Sequence, residues 1–221
     1  MLKKFLNIIT SNFRGYSLLR AYQIYECKNI KLKGNSIEFG AYKNKTKNFN
    51  NFFIGNSHFK LSNIYKHNDI NYIKLDLTKN LKLKKNIFDN VIIFNVLEHL
   101  PNTENAFHQI NNILKKNGIL VGSTPFIYQV HGAPNDYFRF TKDFFMEKLK
   151  ITGFKKIKIK CLGFGPFVAC FSIIHSYTKY LPLINHLILL MCYLLDFILQ
   201  LFIRTKLNEI YPIGIFFSAK K

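Results

Sequence analysis

Residues 91–100 read VIIFNVLEHL, an apolar run that meets Asn95 and then an acid beside an imidazole, Glu98–His99. Such a pair can move a proton or line a ligand pocket. It can also bond the start of a following helix, where an acid gains about 0.3–1 kcal/mol. We expect the helix-start role for Glu98 and a place in a substrate pocket for His99. Further along, HGAPNDYFRF packs His131, Asp136, Tyr137 and Arg139 into nine residues of a chain with four arginines. One reading is an ordered lid held by an Asp136–Arg139 pair. The other makes His131 or Tyr137 the catalytic group that takes a proton from an acceptor, while Arg139, with Asp136 beside it, grips an anionic substrate.

These residues need a frame that brings them together. From Gly34 to about Lys160, short apolar runs alternate with helical patterns. The runs NSIEFG (35–40), HFKLSNIY (58–65), INYIKLDLT (70–78), FDNVIIF (88–94), GILVGSTPF (118–126), KKIKIKC (155–161) and IGIFFSAKK (213–221) read as strands, with 58–65 weaker than 70–78. TENAFHQINNILKK (103–116) reads as a helix capped by Thr103 and closed by Lys-Asn-Gly, and TKDFFMEKLKITG (141–153) as another. Leu2, Phe5, Leu6, Ile9, Phe13 and Tyr16 fall at helical spacing, which predicts one amphipathic helix over about 2–25. Strands separated by helices of this length imply an α/β class, with a doubly wound and mostly parallel sheet. In such sheets ligands lie at the carboxyl ends of the strands. Glu38 and Gly40, Asp76, Asn95 with Glu98 and His99, and Thr124–Pro125 all fall there.

Composition narrows the partners. The chain has 221 residues and a formal charge of +20, but 28 of its 32 basic residues are lysines. Arginine, the residue suited to bidentate phosphate contact, is scarce, and no nucleic-acid motif accompanies the charge, so no specific nucleic-acid partner is expected. An anionic membrane surface remains a candidate. The four cysteines have no metal-binding spacing and read as reduced thiols of a cytoplasmic protein, with no metal expected.

The run FDNVIIFNVLEHLPNTENAFHQINNILKKNGILVGSTPF (88–126) closely resembles a long motif of the class I S-adenosylmethionine-dependent methyltransferases, type 11-like branch. VHGAPNDYFRFT (130–141) is similar to the H-x-x-P-x-D-Y-x-R-[FY]-T segment of a sub-branch associated with bacterial surface glycans. The resemblance implies a Rossmann-like seven-stranded sheet whose last strand inserts antiparallel. It implies S-adenosylmethionine as cofactor, held by Glu38, Gly40 and Ala41 at the first turn, Asn63 after the second strand, Asp76 and Leu77 after the third, and Asn95 on the sulfonium side. Two departures stand out. The first loop, EFGAYKN (38–44), has Tyr42 where the family has its second glycine, and the second strand ends in Asn63 where the family has an acid. A side chain at 42 is expected to narrow the pocket, and a neutral amide bonds a ribose hydroxyl about half as strongly as a carboxylate.

The implied domain plan is a lead-in over 1–33, a methyltransferase core over 34–161, an apolar helical insertion over 162–210 and a final core strand over 211–221. Within the insertion, 183–203 holds 17 apolar residues in 21. That is long enough to span a bilayer, yet both flanking strands belong to one sheet and Asp196 interrupts the run. Helices beside the active edge of the sheet, or resting at the inner membrane surface, fit better. The insertion is then a lid, a route for an amphiphilic acceptor, an extension of the core, or an oligomer interface. The expected activity is methyl transfer to a small or lipid-linked, surface-glycan-derived acceptor. The rival is a catalytically degenerate scaffold.

Overall fold

The computed structural model describes residues 2–66, 69–132, 134–178 and 180–221. Ala133, inside the expected lid segment, lies outside the described residues. Seven strands form one sheet: β1 (Gly34–Phe39), β2 (Ser57–Asn63), β3 (Tyr72–Lys74), β4 (Phe88–Phe94), β5 (Leu114–Pro125), β6 (Lys155–Leu162) and β7 (Gly214–Lys220). Their order is β3-β2-β1-β4-β5-β7-β6, parallel except for β7, which runs antiparallel to both its neighbours. The doubly wound, Rossmann-like sheet with an antiparallel last strand is therefore as expected. The order reverses between β1 and β4, so the crevice opens at their carboxyl ends.

Alternation along β4 divides the core. Val91 and Ile93 pack with α3 (Thr103–Ile113) and α4 (Lys142–Ile151) through Phe107, Ile110 and Phe145. Ile92 and Phe94 face the opposite layer, built from α1 (Leu2–Phe13), α2 (Leu18–Cys27), α5 (Pro166–Thr178) and α6 (Pro182–Phe202).

Three boundaries differ from the sequence expectation. The helix expected over 2–25 breaks at Gly15, which takes φ +84°, and Ser17 caps the restart by accepting the Arg20 N–H. The strand expected at 70–78 shrinks to three residues, because Asp76 bonds both the N–H and the hydroxyl of Thr78 and turns the chain. The helix expected to run to 116 stops at Ile113. Its N-cap is Asn102 rather than Thr103, and Leu114 pairs with Phe88 while the Lys115 ammonium pairs with Asp89, so sheet pairing overrides helical propensity there.

The insertion extends the core, one of its expected uses, and does not lie along the active edge of the sheet. The α5–α6 pair contributes Val168, Phe171, Leu189 and Tyr193 to the core on the α1–α2 face. Tyr193 hydroxyl meets Tyr22 hydroxyl at 2.8 Å, and Phe13 stacks on His186. Asp196 does not interrupt the apolar surface. It is fully buried, and its two oxygens accept the Phe167 and Val168 N–H groups at 3.0 and 2.8 Å, capping the start of α5. Asp196→Ala leaves both donors without a partner inside the core and is expected to lower stability by about 1–3 kcal/mol, measured as a lower urea midpoint.

Candidate active site

A cleft of about 640 Å³ lies at the carboxyl ends of β1 to β5, beside the reversal point. Pockets for small molecules run about 300–1,000 Å³. At its floor Gly40 ends β1 with φ +72°, and a Cβ there would lie 2.3 Å from Val96 Cγ2. Only glycine lets β1 turn so close to the loop after β4. Asn95 ends β4 in the left-handed region, φ 53°, a conformation asparagine tolerates better than most residues. Its backbone N–H bonds the Ser123 carbonyl at 2.8 Å, and its side-chain oxygen accepts from Gln23 at 2.8 Å. Gln23 also donates to Ser123 Oγ at 3.1 Å, tying α2 to two strand ends.

The expected cofactor residues divide. Gly40, Asn63, Asp76, Leu77 and Asn95 line the cleft. Asn63 spends its amide nitrogen on the Ala41 carbonyl at 2.8 Å, which fixes the first loop to the end of β2. Asp76 Oδ1 is committed to Thr78, while Oδ2 lies 3.9 Å from Lys79 Nζ. Glu38 and Ala41 do not line the cleft. Ala41 is fully buried. Glu38 lies beneath the loop, where its oxygens accept the Phe49 and Asn50 N–H groups at 2.8 and 2.9 Å. Its role here is to hold the short helical turn Phe49–Phe52. Tyr42 does not fill the crevice: it sits half-exposed at the rim, and its backbone is held by Asn48 and the Tyr72 hydroxyl.

The expected substrate and catalytic residues also divide. His99, His131 and Tyr137 line the cleft; Asp136 and Arg139 do not. The Arg139 guanidinium donates to both Asp136 oxygens, at 2.5 and 2.7 Å, and to the Gln129 carbonyl at 3.0 Å. That pairing holds the Asp136 carboxyl well below the usual carboxylate range. Asp136 also accepts the His131 backbone N–H at 2.9 Å. The pair therefore builds the lid segment, and the expectation that Arg139 grips substrate gives way to that role.

Glu98 departs most from expectation. It sits in the short turn Leu97–His99 after β4 and caps no helix; its own carbonyl accepts the Tyr137 N–H at 2.8 Å. Its carboxylate lines the cleft, is fully buried, and neither oxygen has a hydrogen-bond partner. Burial pushes its pKa up to about 8. Ser17, Arg20 and Gln23 of the α2 start also reach the cleft. Their three-residue spacing, a polar stripe on an otherwise apolar helix, was the available sequence signal.

The comparisons agree with this geometry. Residues 53–122 match the family model described as a methyltransferase domain. The chain has the class I methyltransferase fold. A S-adenosylmethionine-dependent methyltransferase from Archaeoglobus fulgidus superposes with a TM-score of 0.55 at 17% identity, over 92% of this chain and 91% of that one. A phosphoethanolamine N-methyltransferase 2 from Haemonchus contortus, solved with phosphomonomethylethanolamine and S-adenosylhomocysteine, gives 0.54 at 16%, over 90% and 52%. A S-adenosylmethionine-dependent methyltransferase from Mesorhizobium loti gives 0.54 at 15%, over 95% and 100%. Among curated proteins, no sequence matches.

Glu38 gives this methyltransferase fold a pH signature. Burial, working against its two N–H bonds and Arg20, pushes its carboxyl from 4.5 up to about 7. The unfolded chain loses that proton near 4.5, while the folded chain keeps it to about 7. The group's contribution to stability is therefore complete below 4.5 and is lost as pH rises through 7, by about 3 kcal/mol. Urea unfolding from pH 4 to 8 should show the wild type losing stability relative to Glu38→Gln over this window. A difference that stays flat would mean that the two N–H bonds outweigh burial.

Proposed function

We propose that the protein binds S-adenosylmethionine in the cleft at the β1–β4 reversal and transfers its methyl group to a small or lipid-linked, surface-glycan-derived acceptor. The observation carrying this reading is that residues scattered from Gly40 to Asn95 converge on one cavity large enough for a nucleoside and part of an acceptor. In this reading the Gly40 turn admits the cofactor's backbone-side edge, Asp76 Oδ2 and the Leu77 N–H meet the adenine, and Asn95 faces the sulfonium. The acceptor enters between His99, His131 and Tyr137. Methyl transfer is an in-line displacement at a cationic sulfur, so positioning supplies much of the catalysis, and a base is needed where the nucleophile is a hydroxyl.

The scaffold reading draws on two features: Tyr42 at the rim, and the Asn63 nitrogen already bonded to Ala41. Calorimetry separates the two readings. Wild type should bind S-adenosylmethionine, Asp76→Ala should bind about tenfold more weakly through loss of a charged acceptor, and Gly40→Val should not bind. A folded wild type that gives no saturable heat would favour the scaffold.

The lipid-linked acceptor rests on α6. It is 21 residues long, the one helix among the described residues long and apolar enough to cross a membrane, and 22% of its apolar window is buried. Leu187, Leu194 and Leu201, seven residues apart, are all more than half exposed, opposite the buried Asp196. No described residue of 162–210 lines the cleft, so in this reading the insertion docks the enzyme on the cytoplasmic face of an anionic membrane rather than closing over substrate. An oligomer through the same face is the competing use of that surface. The full chain should float with anionic vesicles, and the triple variant Leu187→Glu, Leu194→Glu, Leu201→Glu should stay behind. Wild type remaining at the bottom of the gradient would remove the membrane from the proposal.

A further inference from the structure

Glu98 raises a physical question that methyl transfer alone does not answer. Both its oxygens are buried and without a hydrogen-bond partner, in a residue that borders the cleft. A buried polar group left in that state costs about 1–3 kcal/mol, and more when charged. Structures keep such a group where something outside the chain completes it.

Two imidazoles stand beside it. His99 Nδ1 lies 2.5 Å from the Asn135 carbonyl oxygen. A carbonyl only accepts, so Nδ1 carries the proton and Nε2, which lies 3.9 Å from Glu98 Oε1, keeps a lone pair. His131 Nδ1 faces two acceptors, the Gln129 carbonyl at 3.2 Å and Asp136 Oδ2 at 3.3 Å. Its proton is likewise assigned to Nδ1, leaving Nε2 as the free donor atom. The rings meet edge to face with centroids 5.0 Å apart. One ligand atom from each of Glu98, His99 and His131 lies within 4.8 Å of the others.

We propose that Glu98, His99 and His131 form a binding site for a divalent first-row transition cation at the acceptor end of the cleft. Two neutral imidazoles and one carboxylate, with further positions open to solvent, form a donor set that such cations select. The outer partners follow the same logic: the Asn135 carbonyl faces His99 Nδ1, and the Gln129 carbonyl with Asp136 faces His131 Nδ1, which fixes the tautomer and leaves Nε2 of each ring to ligate. Bonds of about 2.1 Å to all three donors need them roughly 3–3.5 Å apart, so the trio closes slightly on the ion. Asp136 and Arg139 thereby gain a purpose, since the pair positions His131 rather than touching substrate. Resting on the methyltransferase reading, the open positions face the expected acceptor, which favours an oxygen nucleophile that can ligate the metal and shed its proton at neutral pH.

The test uses the full chain freed of metal by a chelator, titrated with Co2+ while visible absorption and calorimetry are followed. Wild type should bind one equivalent with imidazole-type d–d bands. Glu98→Gln and His131→Ala should each weaken binding at least a hundredfold. His131 is partly exposed, so its variant should fold, and Zn2+ should raise the melting temperature of wild type but not of His131→Ala. No saturable Co2+ binding by wild type, or equal binding by the variants, overturns the site. S-adenosylmethionine binding measured on the same metal-free protein keeps the two proposals apart: cofactor binding without Co2+ binding sinks only the metal site, and the converse sinks only the methyl-transfer reading.

Discussion

A carboxylate taken out of water must find donors, and three of the buried acids organise this molecule by how they meet that demand. Glu38 takes two backbone N–H groups from the short turn after the first loop. Asp196 takes two from the start of α5. Glu38 ties the turn after the first loop to β1, and Asp196 ties the two helices of the insertion to each other. Glu98 is buried as deeply and takes none. The first two satisfy the polar groups of the scaffold, while the third leaves its acceptor capacity facing the cleft.

The cleft depends on those ties. Glu38 holds the segment carrying Phe49, which stacks on Phe94 at the end of β4. One residue on, Asn95 leaves the strand in a left-handed conformation that its bonds to Gln23 and Ser123 maintain. That turn sends Val96 over Gly40 and delivers Glu98 and His99 to the cavity wall. The lid segment then closes on Glu98 itself, through the Tyr137 N–H to its carbonyl. The polar wall of the cleft is thus a chain of backbone-anchored positions, suited to holding geometry rather than to large motion.

The insertion follows a different rule. Its inner face joins the sheet core and its outer face stays apolar and exposed among the described residues. Two uses of one helix are thereby separated by side: burial of Leu189, Tyr193 and Asp196 supports the fold, and the leucines on the opposite side are left for a surface beyond it.

Periodicity and local chemistry in the sequence determined the sheet, most strands, and the convergence of Gly40, Asp76 and Asn95 on one crevice, because a buried parallel strand leaves an apolar run ending in polar residues. Asn63 and Leu77 followed from the resemblance. The outer helices α3 and α4 were legible from their helical spacing of apolar residues and their capping residues. Tertiary structure alone decided the rest. That β3 would be short, and that Leu114 would leave its helix for Phe88, depended on pairing between residues far apart in the chain. Whether Asp136 and Arg139 would face substrate or each other, and whether Glu98 would cap a helix or stand without donors, turned on ångström distances in a folded loop. Sequence names the groups able to make such contacts, but only packing fixes which donor reaches which acceptor.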